Sequence, residues 1–95
     1  AICTPELQLP CAEGESFLLL EKIKANPQFP SSQSINTIDG VRVEYADGFG
    51  LARPSNTTPI VVLRFEADSD EAIKRIQGEF KKALLAVKPD AKLPF

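Results

Sequence analysis

Seven consecutive residues, Ile60-Val61-Val62-Leu63-Arg64-Phe65-Glu66, are β-branched or apolar apart from one arginine and a terminal glutamate. A run of this length and branching is a strand. Because it is apolar on both sides of the pleat, it belongs in the middle of a sheet. An amphipathic helix follows almost at once. Ile73, Ile76, Phe80, Ala83, Leu84 and Val87 recur at helical spacing, while Lys74, Arg75, Lys81 and Lys82 lie off that face. Asp68 reads as its start, with Glu71 three residues on completing a capping box. The bias of cations toward the C-terminal end suits the helix dipole. Gly78 costs about 1 kcal/mol relative to Ala inside a helix and so points to a close packing contact. Pro89 ends the helix, and residues 91–95 form a tail that docks or frays.

The remaining elements are read by the same rules. Glu6–Cys11 alternates, with Leu7, Leu9 and Cys11 on one side, and Pro10 marks an end or an edge. Gly14–Asn26 is a helix with Phe17, Leu19, Leu20 and Ile23 on one face. Ser16 is its candidate N-cap, Glu13 and Gly14 are earlier alternatives, and Pro27 stops it. After a proline-bearing loop, Ile35–Ile38 leads to Asp39-Gly40, a hairpin dipeptide. Val41, Val43 and Tyr45 alternate with Arg42 and Glu44, Asp47-Gly48 is a second turn, and Phe49–Pro54 is a further strand. The order is β-α-β-β-β-β-α. Tight turns make the sheet mostly antiparallel, and two amphipathic helices need its apolar face. The fold class is α+β in two layers, one domain over residues 1–95.

Absences narrow the chemistry. A net charge of −2 gives no basic field for nucleic acid. No apolar run approaches the ~18 residues of a membrane helix, and no secretory signal is expected. A cytoplasmic location and no membrane partner are expected. The start at Ala1 rather than Met suggests a processed chain or a piece of a longer one. There is no His, which excludes Ser-His-Asp and Cys-His catalysis within the chain and removes the commonest zinc ligand. Cys3 and Cys11 are too few for a disulfide framework or a thiolate site. They read as free thiols in a reducing compartment, with a Cys3–Cys11 bridge as the alternative.

One segment carries candidate chemistry. In Gly48-Phe49-Gly50-Leu51-Ala52-Arg53-Pro54-Ser55-Asn56-Thr57-Thr58-Pro59 a guanidinium ends a strand and a run of hydroxyls and an amide follows. Arg53 can meet a phosphate with two parallel hydrogen bonds. Ser55, Asn56 and Thr57 can donate from their side chains, and their N–H groups can converge if the backbone forms a nest. Pro54 stiffens the approach. The residue types alone also suit a plain polar hairpin. Asn56-Thr57-Thr58 matches the glycosylation sequon and reads as chance. Asp39 and Asp47 read as turn residues, and Tyr45 and Phe49 as core or rim. Arg64 is either a paired, edge-facing arginine or a second cation near the anion loop.

Taken together, Asp39-Gly40-Val41-Arg42-Val43, the segment from Asp47 to Pro59 and Leu63-Arg64-Phe65-Glu66-Ala67 resemble the C-terminal domain of the α-D-phosphohexomutases. Phosphoglucosamine mutases carry Gly where Asn56 stands and Glu where Thr58 stands. The Arg-x-Ser-Asn-Thr-x-Pro form here is more similar to the bacterial phosphomannomutase/phosphoglucomutase branch. The resemblance implies a TBP-like fold and a place as the fourth domain of a larger enzyme. That enzyme interconverts hexose 1-phosphate and hexose 6-phosphate through a phosphoserine and a bisphosphorylated sugar. It implies that Arg53, Ser55, Asn56 and Thr57 hold the phosphate of mannose or glucose 1- or 6-phosphate that is not being transferred. The catalytic serine and the Mg2+ site belong to the other three domains, with glucose 1,6-bisphosphate as activator and intermediate. No catalytic residue and no metal ligand is expected in this chain. The alternative is a free-standing anion-binding or interaction module.

Overall fold

The computed structural model describes residues 1–95. The elements in chain order are β1 (Ile2–Cys3), β2 (Leu7–Pro10), α1 (Glu15–Ala25), β3 (Ser34–Asn36), β4 (Val41–Tyr45), β5 (Gly48–Pro54), β6 (Ile60–Ala67) and α2 (Asp70–Val87). The strands form one antiparallel sheet in the order β1-β6-β5-β4-β3, with β2 also on β6. The strongly apolar strand β6 is thus interior, paired on both sides, although β5 holds the middle of the order.

β1 and β2 lie end to end along the same side of β6. Ile2 stands opposite Ala67, and Leu7 opposite Leu63. Pro5 has no N–H to continue the ladder, so the strand breaks there. Thr4 bridges the break: its N–H donates to the Phe65 carbonyl at 2.9 Å and its hydroxyl accepts from the Phe65 N–H at 3.1 Å. The expected single strand from Glu6 is the second half of this longer, interrupted one.

Period-two alternation sends Val41, Val43 and Tyr45 of β4, Ala52 of β5, and Val61, Leu63, Phe65 and Ala67 of β6 to one face. There they join Leu19, Leu20 and Ile23 of α1 and Ala72, Ile73, Ile76, Phe80, Ala83 and Leu84 of α2 in one core of 19 buried residues. Both helices cover this face. The outer face, with Arg42, Leu51, Arg53 and Arg64, has no layer upon it.

Several expectations are corrected. Phe17 does not point inward. It is 50% exposed, as is Leu18 at 64%, and α1 packs through Leu19, Leu20 and Ile23. Ser16 is buried inside the helix; the cap position is Gly14 at φ 77°, and the Glu15 carboxylate reaches back to the Ala12 N–H at 2.7 Å. In α2 the cap is Ser69, whose hydroxyl accepts the Ala72 N–H at 3.1 Å, so Asp68 lies outside and no capping box forms with Glu71. The last turn of α2 holds no basic residue. Gly78 faces open space. The close approach is at Gly50, where a Cβ would overlap the Phe80 ring. β3 stops short of Ile38, because the Asn36 side chain accepts the Ile38 N–H at 2.9 Å and leaves Ile38 84% exposed. The tail docks: Ala91, Leu93 and Phe95 pack on the core, with the Phe95 and Phe65 rings 5.2 Å apart and nearly perpendicular. Both thiols are free, and Cys3 donates to Glu66 Oε1 at 3.1 Å. No helix is long and apolar enough to cross a membrane.

Candidate functional site

Arg53 stands at the far end of β5. Ala52 turns into the core, so the pleat turns Arg53 outward, opposite Val62. It is exposed and takes part in none of the ion pairs of the chain. The Asp39-Gly40 turn packs directly against it. Gly40 has φ 106°, and a Cβ there would lie 2.5 Å from the Ala52 carbonyl oxygen and 2.8 Å from Arg53 Cβ. Only glycine meets both demands.

The connection to β6 is closed by two backbone bonds, Ser55 N–H to the Ile60 carbonyl at 3.0 Å and Ile60 N–H to the Thr58 carbonyl at 2.8 Å. Inside this closure the Ser55 hydroxyl is a hub. It accepts the N–H groups of Thr57 and Thr58 at 3.3 Å each and the Thr58 hydroxyl at 3.2 Å, and lies 3.3 Å from the Thr57 hydroxyl. The condition set for convergence of these N–H groups, a backbone nest, is not met. No non-glycine residue has positive φ, so the loop lacks the alternation of right- and left-handed residues that forms one, and the Ser55 N–H is spent on Ile60. Asn56 keeps its N–H and its side-chain amide free of protein acceptors.

Arg53, Pro54 and Asn56 open on a cleft of about 390 Å³ between this loop, the Asp39-Gly40 turn and one edge of α1. Phe17, Leu20, Glu21 and Lys24 form the helix wall, and Ile38 caps the turn side. Of the four expected site residues, two line this cleft, while Ser55 and Thr57 bind each other beside it. Lys24 is the cation that sequence reasoning missed. Its place on α1 is readable, but the packing of that helix edge against the loop is not.

Arg64 is exposed and unpaired. It faces outward opposite Leu51, two residues along β6 from the partner of Arg53. Arg42 is engaged elsewhere, bonded to Glu44 and lying 4.1 Å over the Phe49 ring. A separate polar cluster ties α2 to the turns. Asp47 receives two hydrogen bonds from Arg75, at 2.8 and 2.5 Å, which hold its carboxyl below the usual carboxylate range. Tyr45 donates to Glu79 at 3.1 Å; burial, then the Glu79 charge, push its phenol far above its ordinary value. Asp47 is therefore an anchor as well as a turn residue. No group of three His, Cys, Asp or Glu side chains could hold a metal ion.

The chain as a whole, and its layered fold, have counterparts in known proteins. A family model described as the phosphoglucomutase/phosphomannomutase C-terminal domain matches residues 6–83. This chain belongs to that family. A phosphoglucomutase of Neisseria meningitidis is 52% identical over 85 residues, 88% of this chain and 18% of its own length. A phosphomannomutase/phosphoglucomutase of Pseudomonas putida is 45% identical over 94 residues, 99% of this chain and 20% of its own. The X-ray structure of a phosphoglucomutase/phosphomannomutase family protein from Burkholderia thailandensis superposes with a TM-score of 0.89 at 57% identity, covering 100% of this chain and 19% of that one. The chain thus spans about a fifth of the relatives it matches and corresponds to one domain of multi-domain phosphohexomutases.

Proposed function

We propose that this chain is the substrate-phosphate-holding domain of a phosphomannomutase/phosphoglucomutase. In this reading the enzyme interconverts hexose 1-phosphate and hexose 6-phosphate. A phosphoserine elsewhere in the polypeptide donates its phosphoryl group, the bisphosphorylated sugar turns round, and the serine is rephosphorylated. Arg53, Ser55, Asn56 and Thr57 hold the phosphate that is not reacting. A dianion needs placed donors and positive charge rather than a proton shuttle, so a chain without histidine can do this. Binding energy at the remote phosphate holds the reacting end in line. Because the anchor reads phosphate and not sugar, it serves either end of the hexose.

The observation that carries the reading is that Arg53, exposed and without an ion-pair partner, lines a cleft together with Asn56, whose donors are free. The one-fifth coverage of multi-domain relatives supports it. The remaining three domains would supply the serine and the Mg2+, for which this chain offers no ligand cluster. Glucose 1,6-bisphosphate would be the intermediate, and the cytoplasm the place of work.

The test is an amide NMR titration of the 95-residue chain with mannose 1-phosphate and glucose 6-phosphate, with sulfate and chloride as controls. The expected result is saturable shifts centred on residues 53–57 for both sugars, with a Kd near millimolar, about −4 kcal/mol. Shifts confined to another surface, or none, would overturn the assignment.

A further inference from the structure

Phe17, Leu20, Glu21 and Lys24 share one stripe of α1 at helical spacing, and that stripe lines the same cleft as Arg53 and Asn56. Lys24 Nζ lies 3.1 Å from Glu21 Oε2. The two partners differ in their setting: the Lys24 side chain is only 26% exposed, the Glu21 side chain 67%. Both residues line the cleft, with the lysine side chain mostly covered and the glutamate side chain mostly in water. Such an i,i+3 pair on a helix surface is weak and readily exchanged. A phosphate dianion carries about twice the charge of a carboxylate and offers more acceptor oxygens.

We propose that Lys24 is a second cationic ligand for the phosphate held by Arg53, reached by exchanging Glu21 for the phosphate. This rests on the reading of the Arg53 loop as a phosphate anchor. Glu21 and Asp39 are the acidic groups on the cleft, and Glu21 acts as a built-in competitor. It neutralises Lys24 in the empty site and must be displaced by the incoming anion, so it lowers the affinity that Lys24 would otherwise confer. Lys22 supplies an internal control. It sits in the same turn of α1 with the same charge, but lines a different hollow with Leu18, Val87 and Lys88.

The opposite signs of the two substitutions provide the test. Inorganic phosphate is titrated into the 95-residue chain at constant ionic strength, and the Asn56 and Thr57 amide shifts report binding. Chain folding is judged from spectral dispersion; all four substituted side chains are at least partly exposed. Lys24→Gln is expected to weaken phosphate about three- to tenfold and Glu21→Gln to tighten it about two- to threefold, while Lys22→Gln stays within about twofold. A pair that only stabilised the helix would give the same sign for Lys24→Gln and Glu21→Gln. The proposal is overturned if Lys24→Gln matches Lys22→Gln, or if Glu21→Gln weakens binding. If Arg53→Ala abolishes binding in that case, the anchor stands and Lys24 alone is excluded. If Arg53→Ala binds as the parent chain does, the anchor reading falls and the Lys24 proposal with it.

Discussion

Gly50 and Phe80 occupy one another's space: the ring of Phe80 lies where a side chain on residue 50 would begin. β5 gives up a side chain in its middle so that α2 can lay an aromatic ring on the sheet. That ring also meets Phe29, with centroids 4.9 Å apart, and Phe65 at 5.2 Å. Gly50→Ala therefore forces the ring to move and is expected to destabilise the chain by about 1–3 kcal/mol. Phe80→Ala is expected to cost about 3–5 kcal/mol through the cavity it leaves. Urea unfolding of both, and of Gly50→Ala combined with Phe80→Ala, checks this. If the double variant loses the sum of the two single effects, the pair is not coupled.

Two other glycines should respond in opposite directions. Gly78 sits in the interior of α2 with nothing near its missing Cβ, so Gly78→Ala is expected to stabilise by about 0.5–1 kcal/mol. Gly40, with positive φ and no room beside Arg53, is expected to lose more than 1 kcal/mol or so as Ala, with the local shift changes centred on Arg53. Thermal melts order the three proteins.

On the proposed function, Arg53→Ala in the full-length protein is expected to lower kcat/KM by about 2–4 kcal/mol of transition-state binding. Arg53→Lys should recover only part, since an ammonium keeps the charge but loses the two-pronged geometry. Steady-state kinetics with both hexose phosphates measures it; an unchanged kcat/KM for Arg53→Ala would remove this residue from the site.

Ser55→Ala removes the hydroxyl that gathers Thr57 and Thr58. Global stability should change by about 0.5–1 kcal/mol at most, because these bonds are exposed. Hydrogen exchange at the Thr57 and Thr58 amides should quicken and phosphate affinity should fall. Unaltered exchange there would show that the hydroxyl does not order the loop.

Acid should find a weak point at Asp47. Its carboxyl is held below the ordinary range by Arg75 in the folded chain and returns to that range on unfolding. The unfolded chain therefore takes up the proton first. The contribution of this pair is complete above the ordinary carboxylate range and is lost as pH falls through the lowered value. Stability measured from pH 7 to pH 2 is expected to fall less steeply in Asp47→Asn than in the parent chain (about the usual acid range). Parallel curves would exclude the pair as a source of acid sensitivity.

The features legible in the sequence were those written in several residues at once. The branching of Ile60–Glu66 placed β6 in the interior of the sheet, and six apolar positions at helical spacing fixed the buried face of α2. The Asp39-Gly40 turn and the Arg53 loop were legible because each demands particular residue types. What escaped depended on one residue's neighbours in space. Phe17 has the polarity and spacing of a core residue, yet the α1 contact is filled by Leu19, Leu20 and Ile23, which leaves the ring on the cleft wall. Asp68 and Ser69 are both good caps, and only the strand's length decides between them. The close contact expected at Gly78 is found at Gly50, since nothing local says which glycine faces an aromatic ring. The two-residue β1 has no periodicity to detect. Within the site, residue identity named the donors, but the single hydroxyl of Ser55 and the absence of left-handed residues determine which N–H groups stay free.

The interrupted strand along β6 has a mechanical side. Ile2–Cys3 and Leu7–Pro10 run beside β6, and β6 is stitched through β5 to Arg53. A pull along the leading segment would load several ladder bonds in parallel, as shear, instead of opening them one at a time. The first ten residues are thus tied to the same central ladder that carries the Arg53 loop.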